Sequence, residues 1–224
     1  MIKKNPDSAN PVRISRLDEV VFDAGYLLFA VIIGIVMLSR STGTVGLLSG
    51  VMALVLAGGD AFHLIPRIIA VVSGETGRLR VFLGLGKLIT SITMTLFYVL
   101  LWFVGLMIFP ASVREWTVLV FILAGARIVL CLFRQNKWFD SEAPVRWAVL
   151  RNIPFLMLGI MTASFFGAYS STAGPLRLMW LAVALSFAFY IPVVIGVRKN
   201  PKLGMLMLPK TCMYIWMLLM CSAL

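Results

Sequence analysis

Residues 85–109 read LGKLITSITMTLFYVLLWFVGLMIF, and after Lys87 no charged side chain follows in this stretch. At a rise of about 1.5 Å per residue it forms more than ~30 Å of helix, enough to cross the hydrocarbon core of a bilayer. Working outward, residues 20–38, 45–64, 116–133, 148–166, 178–197 and 203–224 pass the same test. The connections are short, and none is polar or long enough to make a soluble domain. The expected fold is therefore all-α: a polytopic membrane protein whose residues 20–224 form a single seven-transmembrane-helix bundle. Residues 1–19, with Pro6 and Pro11, read as a flexible basic cytoplasmic tail. They do not read as a cleaved signal peptide, because the basic residues are separated from the apolar run and no small-residue cleavage site follows. "RIIAVV" stays apolar beyond Pro66, so the second helix can continue to about Val72.

Composition agrees. Of 224 residues, 61% are hydrophobic and only 13% charged, and mean hydropathy is +0.98. Soluble domains are about 45–50% apolar and about 25% charged, so a water-soluble globular domain, a disordered chain and a disulfide-stapled scaffold are excluded. The net charge of +11 has no polar, aromatic-interleaved domain to serve, which argues against nucleic acid. Cys131, Cys212 and Cys221 all lie in apolar stretches and read as reduced packing residues. A single histidine and the absence of zinc-spaced cysteines give no reason to expect a metal or cofactor.

The basic residues orient the bundle. Fifteen of the 20 Lys and Arg fall on the side of the amino-terminal tail and only Arg40, Arg114 and Arg177 on the other, with Arg127 and Lys210 inside spans. Such a split is a positive-inside signal. It puts the amino terminus in the cytoplasm and the carboxyl terminus outside, in a multi-pass protein of the cell membrane, and it supports an odd number of spans. Gly46 and Gly50 form a small-xxx-small pair suited to close helix packing, within the chain first and against a second protomer second.

Ionisable residues inside spans cost about 2.5–3.5 kcal/mol each on insertion scales, and they mark interiors and functions. Asp60, His63 and Arg67, in "GGDAFHLIPR", are spaced to share one helix face, which continues through Leu56, Ala53 and Ser49. Gly58 and Gly59 let another helix or a ligand approach the aspartate. Asp60, Lys210 and Arg127 all fall roughly 6–11 Å below the inner surface. Asp23, Arg151, Asn152 and Tyr214 can join them, and Thr90, Ser91 and Thr93 add hydroxyls. A static reading pairs Asp60 with Lys210 or Arg127 to neutralise buried charge. A functional reading notes that Asp23 and Asp60 are outnumbered by Arg67, Arg127 and Lys210, which favours an anionic ligand.

"GDAFHLIP" followed by "FLGLGKLITSITMTLFYVL" resembles the Gly-Asp motif and next helix of the lysoplasmalogenase-like integral membrane family, over residues 58–100. The resemblance implies a small multi-helix membrane protein, some relatives of which hydrolyse the vinyl-ether bond of lysoplasmalogens, and it makes Asp60 a functional aspartate. This chain has hydroxyls around Thr93 where a histidine is expected, and Lys210 where the family has an acidic residue. Lys210 in the last helix also suggests a retinal Schiff base, but it sits at the helix start, directly after Pro209, rather than mid-bilayer.

The leading expectation is a membrane protein that binds, and in its enzymatic form hydrolyses, an anionic lipid or amphiphile such as a lysophospholipid. Asp60 and His63 are then the catalytic candidates, and Asp23, Arg67, Arg127, Lys210 and Tyr214 the ligand-binding ones. The alternatives are a transporter or channel for a small anionic solute, and a receptor-like or structural membrane protein.

Overall fold

The computed structural model describes residues 11–74, 77–110, 113–140 and 143–224, with residues 11–17 as backbone only. Among these residues every regular element is helical, and seven helices are long and apolar enough to cross a membrane. They are α1 (Pro11–Arg40), α2 (Thr44–Ser73), α3 (Arg80–Ile108), α4 (Arg114–Leu132), α5 (Val145–Ala168), α6 (Met179–Gly196) and α7 (Met207–Ser222). The expected tail lies outside the described residues over 1–10. From Pro11, the first described residue, α1 runs without a break to Arg40.

Local chemistry sets the helix ends. α2 runs through Pro66 and stops at Gly74, whose φ of 75° is the left-handed conformation glycine adopts freely; its N–H bonds back to the Ala70 carbonyl at 3.1 Å. At the end of α4, Asn136 is fully buried and its Nδ2 donates to the carbonyls of Leu130, Cys131 and Phe133. These bonds help satisfy carbonyls that a helix terminus leaves without intrahelical donors. Trp138 Nε1 adds a bond to the Cys131 carbonyl at 2.8 Å. Pro209 sits in the first turn of α7, where no intrahelical donor is lost.

Each helix packs on the next in sequence, and α7 returns against α1 and α2 to close the ring; α3 also reaches α5. α3 is the innermost helix: Phe97, Tyr98, Leu101 and Val104 have no exposed surface. Small residues bring α2 and α3 together. A Cβ at Gly59 would overlap Thr93, and one at Gly86 would overlap the Phe62 carbonyl. The Gly46/Gly50 pair serves packing within the chain, because Gly46 abuts Ser41 and Gly50 abuts Leu38.

Aromatic side chains fill the bundle. Tyr98 meets Phe97, Phe155 and Phe187 with ring centroids 5.2–5.4 Å apart, and Phe97 meets Tyr214 at 5.7 Å. A second group joins Trp102, Phe109, Phe165, Phe166 and Tyr169. Outside is an apolar belt. On α2 it runs from Leu47 to Val72, and on α4 from Trp116 to Leu132. At the end of the bundle where α7 finishes, a cleft of about 520 Å³ opens between α1 and α7, lined by Phe29, Ile33 and Met37 with Arg40 at its edge.

A candidate site of two adjoining cavities

The polar residues gather at the opposite end, where α1, α3, α5 and α7 begin and α2, α4 and α6 finish. They line two cavities that share His63, Thr90, Met94, Met207 and Lys210. The first, about 70 Å³, contains Glu19, Asp23, Asp60 and Arg67 with Tyr26, Thr211 and Tyr214. The second, about 150 Å³, contains Lys87, Arg127, Arg151 and Lys210 with Ser91, Trp138, Phe155 and Tyr190.

The face predicted for α2 is the face that turns inward: Ser49, Ala53 and Leu56 are all buried beneath Asp60. Asp60 is not ion-paired with Lys210 or Arg127. Its Oδ2 accepts a hydrogen bond from the Tyr26 hydroxyl at 2.7 Å, and Tyr26 is 3% exposed. Two turns along α2, Arg67 meets Glu19 at 2.8 Å and Asp23 at 3.3 Å. The carboxylates of α1 thus engage the guanidinium, and Asp60 is held by a neutral phenol. Thr90 Oγ1 donates to the Gly59 carbonyl at 2.8 Å, linking α3 to α2 one residue before Asp60. Thr93 serves its own helix, bonding the Ile89 and Thr90 carbonyls. His63 faces both cavities, and its buried Nδ1 has no hydrogen-bond partner.

The cations behave differently from Arg67. Arg127 is 2% exposed, and its guanidinium carbon lies 3.1 Å from the centroid of the Phe155 ring. Its Nε and Nη1 are buried without a hydrogen-bond partner. Lys210 is 7% exposed, with Nζ 4.5 Å from the Tyr190 centroid and 5.2 Å from that of Tyr214. Arg151 lies over Trp138 at 4.2 Å and donates from Nη1 to Asn136 Oδ1 at 2.8 Å. The same Asn136 that ends α4 therefore also orients Arg151. Tyr190 donates to Asn152 Oδ1 at 3.1 Å, tying α6 to α5 beside the cavity.

The seven catalytic and ligand-binding candidates each line one of the two cavities: Asp23, Asp60, Arg67 and Tyr214 the first, Arg127 the second, and His63 and Lys210 both. Of the residues expected to join them, Arg151, Thr90 and Ser91 also line a cavity, whereas Asn152 and Thr93 line neither. Sequence reasoning missed Tyr26, Glu19, Lys87, Trp138 and Tyr190. Tyr26 lies one turn beyond Asp23 on the same helix face, a signal that was available. Trp138 and Tyr190 carried none, because the loop after α4 and the rotation of α6 are set by tertiary packing. Comparison of the chain with protein-family models, characterised proteins and solved structures gives no match.

Proposed function

We propose that this is a multi-pass protein of the cell membrane, amino terminus cytoplasmic, that binds an anionic lipid or amphiphile at the charged end of its bundle. The observation that carries this reading is the second cavity, in which, among the described residues, four cationic side chains meet and no carboxylate does. Cations brought together in a weakly solvated site raise the local concentration of anions. The surrounding helices are apolar on their outer faces, so a ligand with an acyl chain can reach the site from the bilayer. The orientation rests on the distribution of Lys and Arg, which puts this end at the cytoplasmic surface.

The hydrolytic version of the reading assigns Asp60 as general acid/base and His63 as its proton-transfer partner, as the resemblance over residues 58–100 implies. The two lie one turn apart on α2 and line the same cavity. Purified protein assayed against lysophospholipids is expected to bind them. Asp60→Asn is expected to abolish any turnover while keeping the binding. Equal turnover by the mutant and the wild type would remove Asp60 from the chemistry.

Anion transport is the second reading. Pro66, Pro154 and Pro192 each lie inside a helix bordering the site, where the missing N–H removes a backbone bond and a helix can bend. Against a permanent pore stands the aromatic packing of Tyr98, Phe155, Phe187 and Tyr214 on the inner side of the cavities. Flux of a small anion in proteoliposomes would favour transport; tight amphiphile binding without flux would favour the lipid reading.

A further inference from the structure

We infer that the second cavity is a seat for a phosphate-type dianion, a phosphate monoester in particular, with Arg127 as its anchor. The inference rests on the reading of this end of the bundle as an anionic-ligand site, and names the headgroup it takes.

Three observations carry it. The first is the state of Arg127. A guanidinium stacked on a ring uses its flat face, while its N–H donors lie in the plane and point outward from the edge. Phe155 occupies the face of Arg127, and two edge nitrogens, Nε and Nη1, are buried without partners. Buried donors left unmade are costly, and an oxyanion entering the cavity would supply the acceptors that these two lack. The neighbouring Cys131 thiol is a weak acceptor and no substitute for one.

The second observation is charge. None of Lys87, Arg127, Arg151 and Lys210 takes part in the ion pairs formed among the described residues, which join Arg67 to Glu19 and Asp23, and Arg80 and Lys137 to Asp140. Among the described residues, Asp60 lines the adjoining cavity, which Lys210 also borders, and accepts its bond from Tyr26. A carboxylate would offset one of four positive charges, whereas a phosphate monoester offsets two. A phosphocholine headgroup would bring a quaternary ammonium into a cationic enclosure and is disfavoured by it.

The third observation is size and access. About 150 Å³ holds several water-sized groups, enough for one tetrahedral oxyanion and insufficient for an acyl chain. Arg127 and Lys210 are buried at the inner side, while Lys87 is exposed at the mouth. The chain of an amphiphile would therefore stay outside among the lipids.

The test uses the full chain purified in detergent and reconstituted in phosphatidylcholine nanodiscs. The probes are lysophosphatidic acid, lysophosphatidylcholine, inorganic phosphate and acetate. Lysophosphatidic acid is expected to bind at least about tenfold more tightly than lysophosphatidylcholine, and phosphate to stabilise the protein where acetate at equal concentration does not. Arg127→Met should weaken the monoester by about tenfold or more. Because a buried arginine can also serve folding, Lys87→Gln at the exposed mouth is the companion variant, expected to weaken it by about threefold. Displacement of lysophosphatidic acid by inorganic phosphate would identify a soluble monoester as sufficient; failure to displace would assign the site to a lipid headgroup. Equal affinity for the two lysolipids, or wild-type affinity in both variants, would overturn the inference while leaving amphiphile binding standing. Binding of phosphate with no lysolipid bound would defeat the amphiphile reading and leave the dianion seat intact.

Discussion

Asp60 is a buried-end carboxylate whose hydrogen-bond partner is a phenol, Tyr26, 2.7 Å away on another helix. Tyr26→Phe removes that donor and leaves the carboxylate without it, so a loss of about 1–3 kcal/mol in detergent unfolding is expected. Combining Tyr26→Phe with Asp60→Asn should give a coupling energy of about 0.5–3 kcal/mol, larger than that of Asp60→Asn with Lys210→Met, whose side chains share the cavity without an ion pair. The reverse pattern would restore a direct Asp60–Lys210 pair. The residue types and their common depth were legible in the sequence, because a charge inside an apolar span stands out and helix rise converts position into depth. The partners were not. Which cation or hydroxyl meets Asp60 depends on the rotation of α1 and α7 about their axes, and long, nearly uniform apolar spans carry little information about rotation. Tyr26 could have been placed near Asp60's end of the bundle from its spacing to Asp23, but its bond to Asp60 could not, because an aromatic residue in an apolar run reads as packing until its hydroxyl is seen to have a partner.

Helix pairs are fixed by contacts between small and large side chains. Gly59 and Gly86 bring α2 and α3 so close that side chains at both positions would collide with the facing helix. Gly59→Ala is expected to cost about 1–3 kcal/mol through overpacking, and Thr93→Ala in the same molecule to recover much of that loss. No recovery would mean that the glycine acts through backbone freedom and not through space. The turn after α4 works on the same scale. Asn136→Ala should cost about 1–3 kcal/mol by freeing the carbonyls of α4, and it should also weaken anion binding, because Arg151 loses the contact that orients it. An unfolding assay and a binding assay on that one variant read the two roles separately. Element existence was readable from composition alone, including the passage of α2 through Pro66. The extension of α1 back to Pro11 was not, since polar and charged helical turns outside the apolar span look like tail.

Across the molecule, topology is the coarse prediction. A reporter fused after Leu224 is expected to behave as extracytoplasmic and one inserted in the loop between α4 and α5 as cytoplasmic; the opposite result would invert the placement of the charged end. The apolar belt carries a further consequence. On α2 it extends over the 25-residue step from Leu47 to Val72, on α4 over the 16-residue step from Trp116 to Leu132. At about 1.5 Å per residue these are ~38 Å and ~24 Å, one longer and one shorter than a ~30 Å hydrocarbon core. No flat bilayer of uniform thickness satisfies both flanks at once unless the long helices tilt. Where these helices span a bilayer, tilt of α2 or a local change in lipid height takes up the difference between the two flanks. Lipid chain length is therefore expected to change how well the protein fits its bilayer, since mismatch costs fractions of a kcal/mol per Å and sorts proteins among membranes of different thickness.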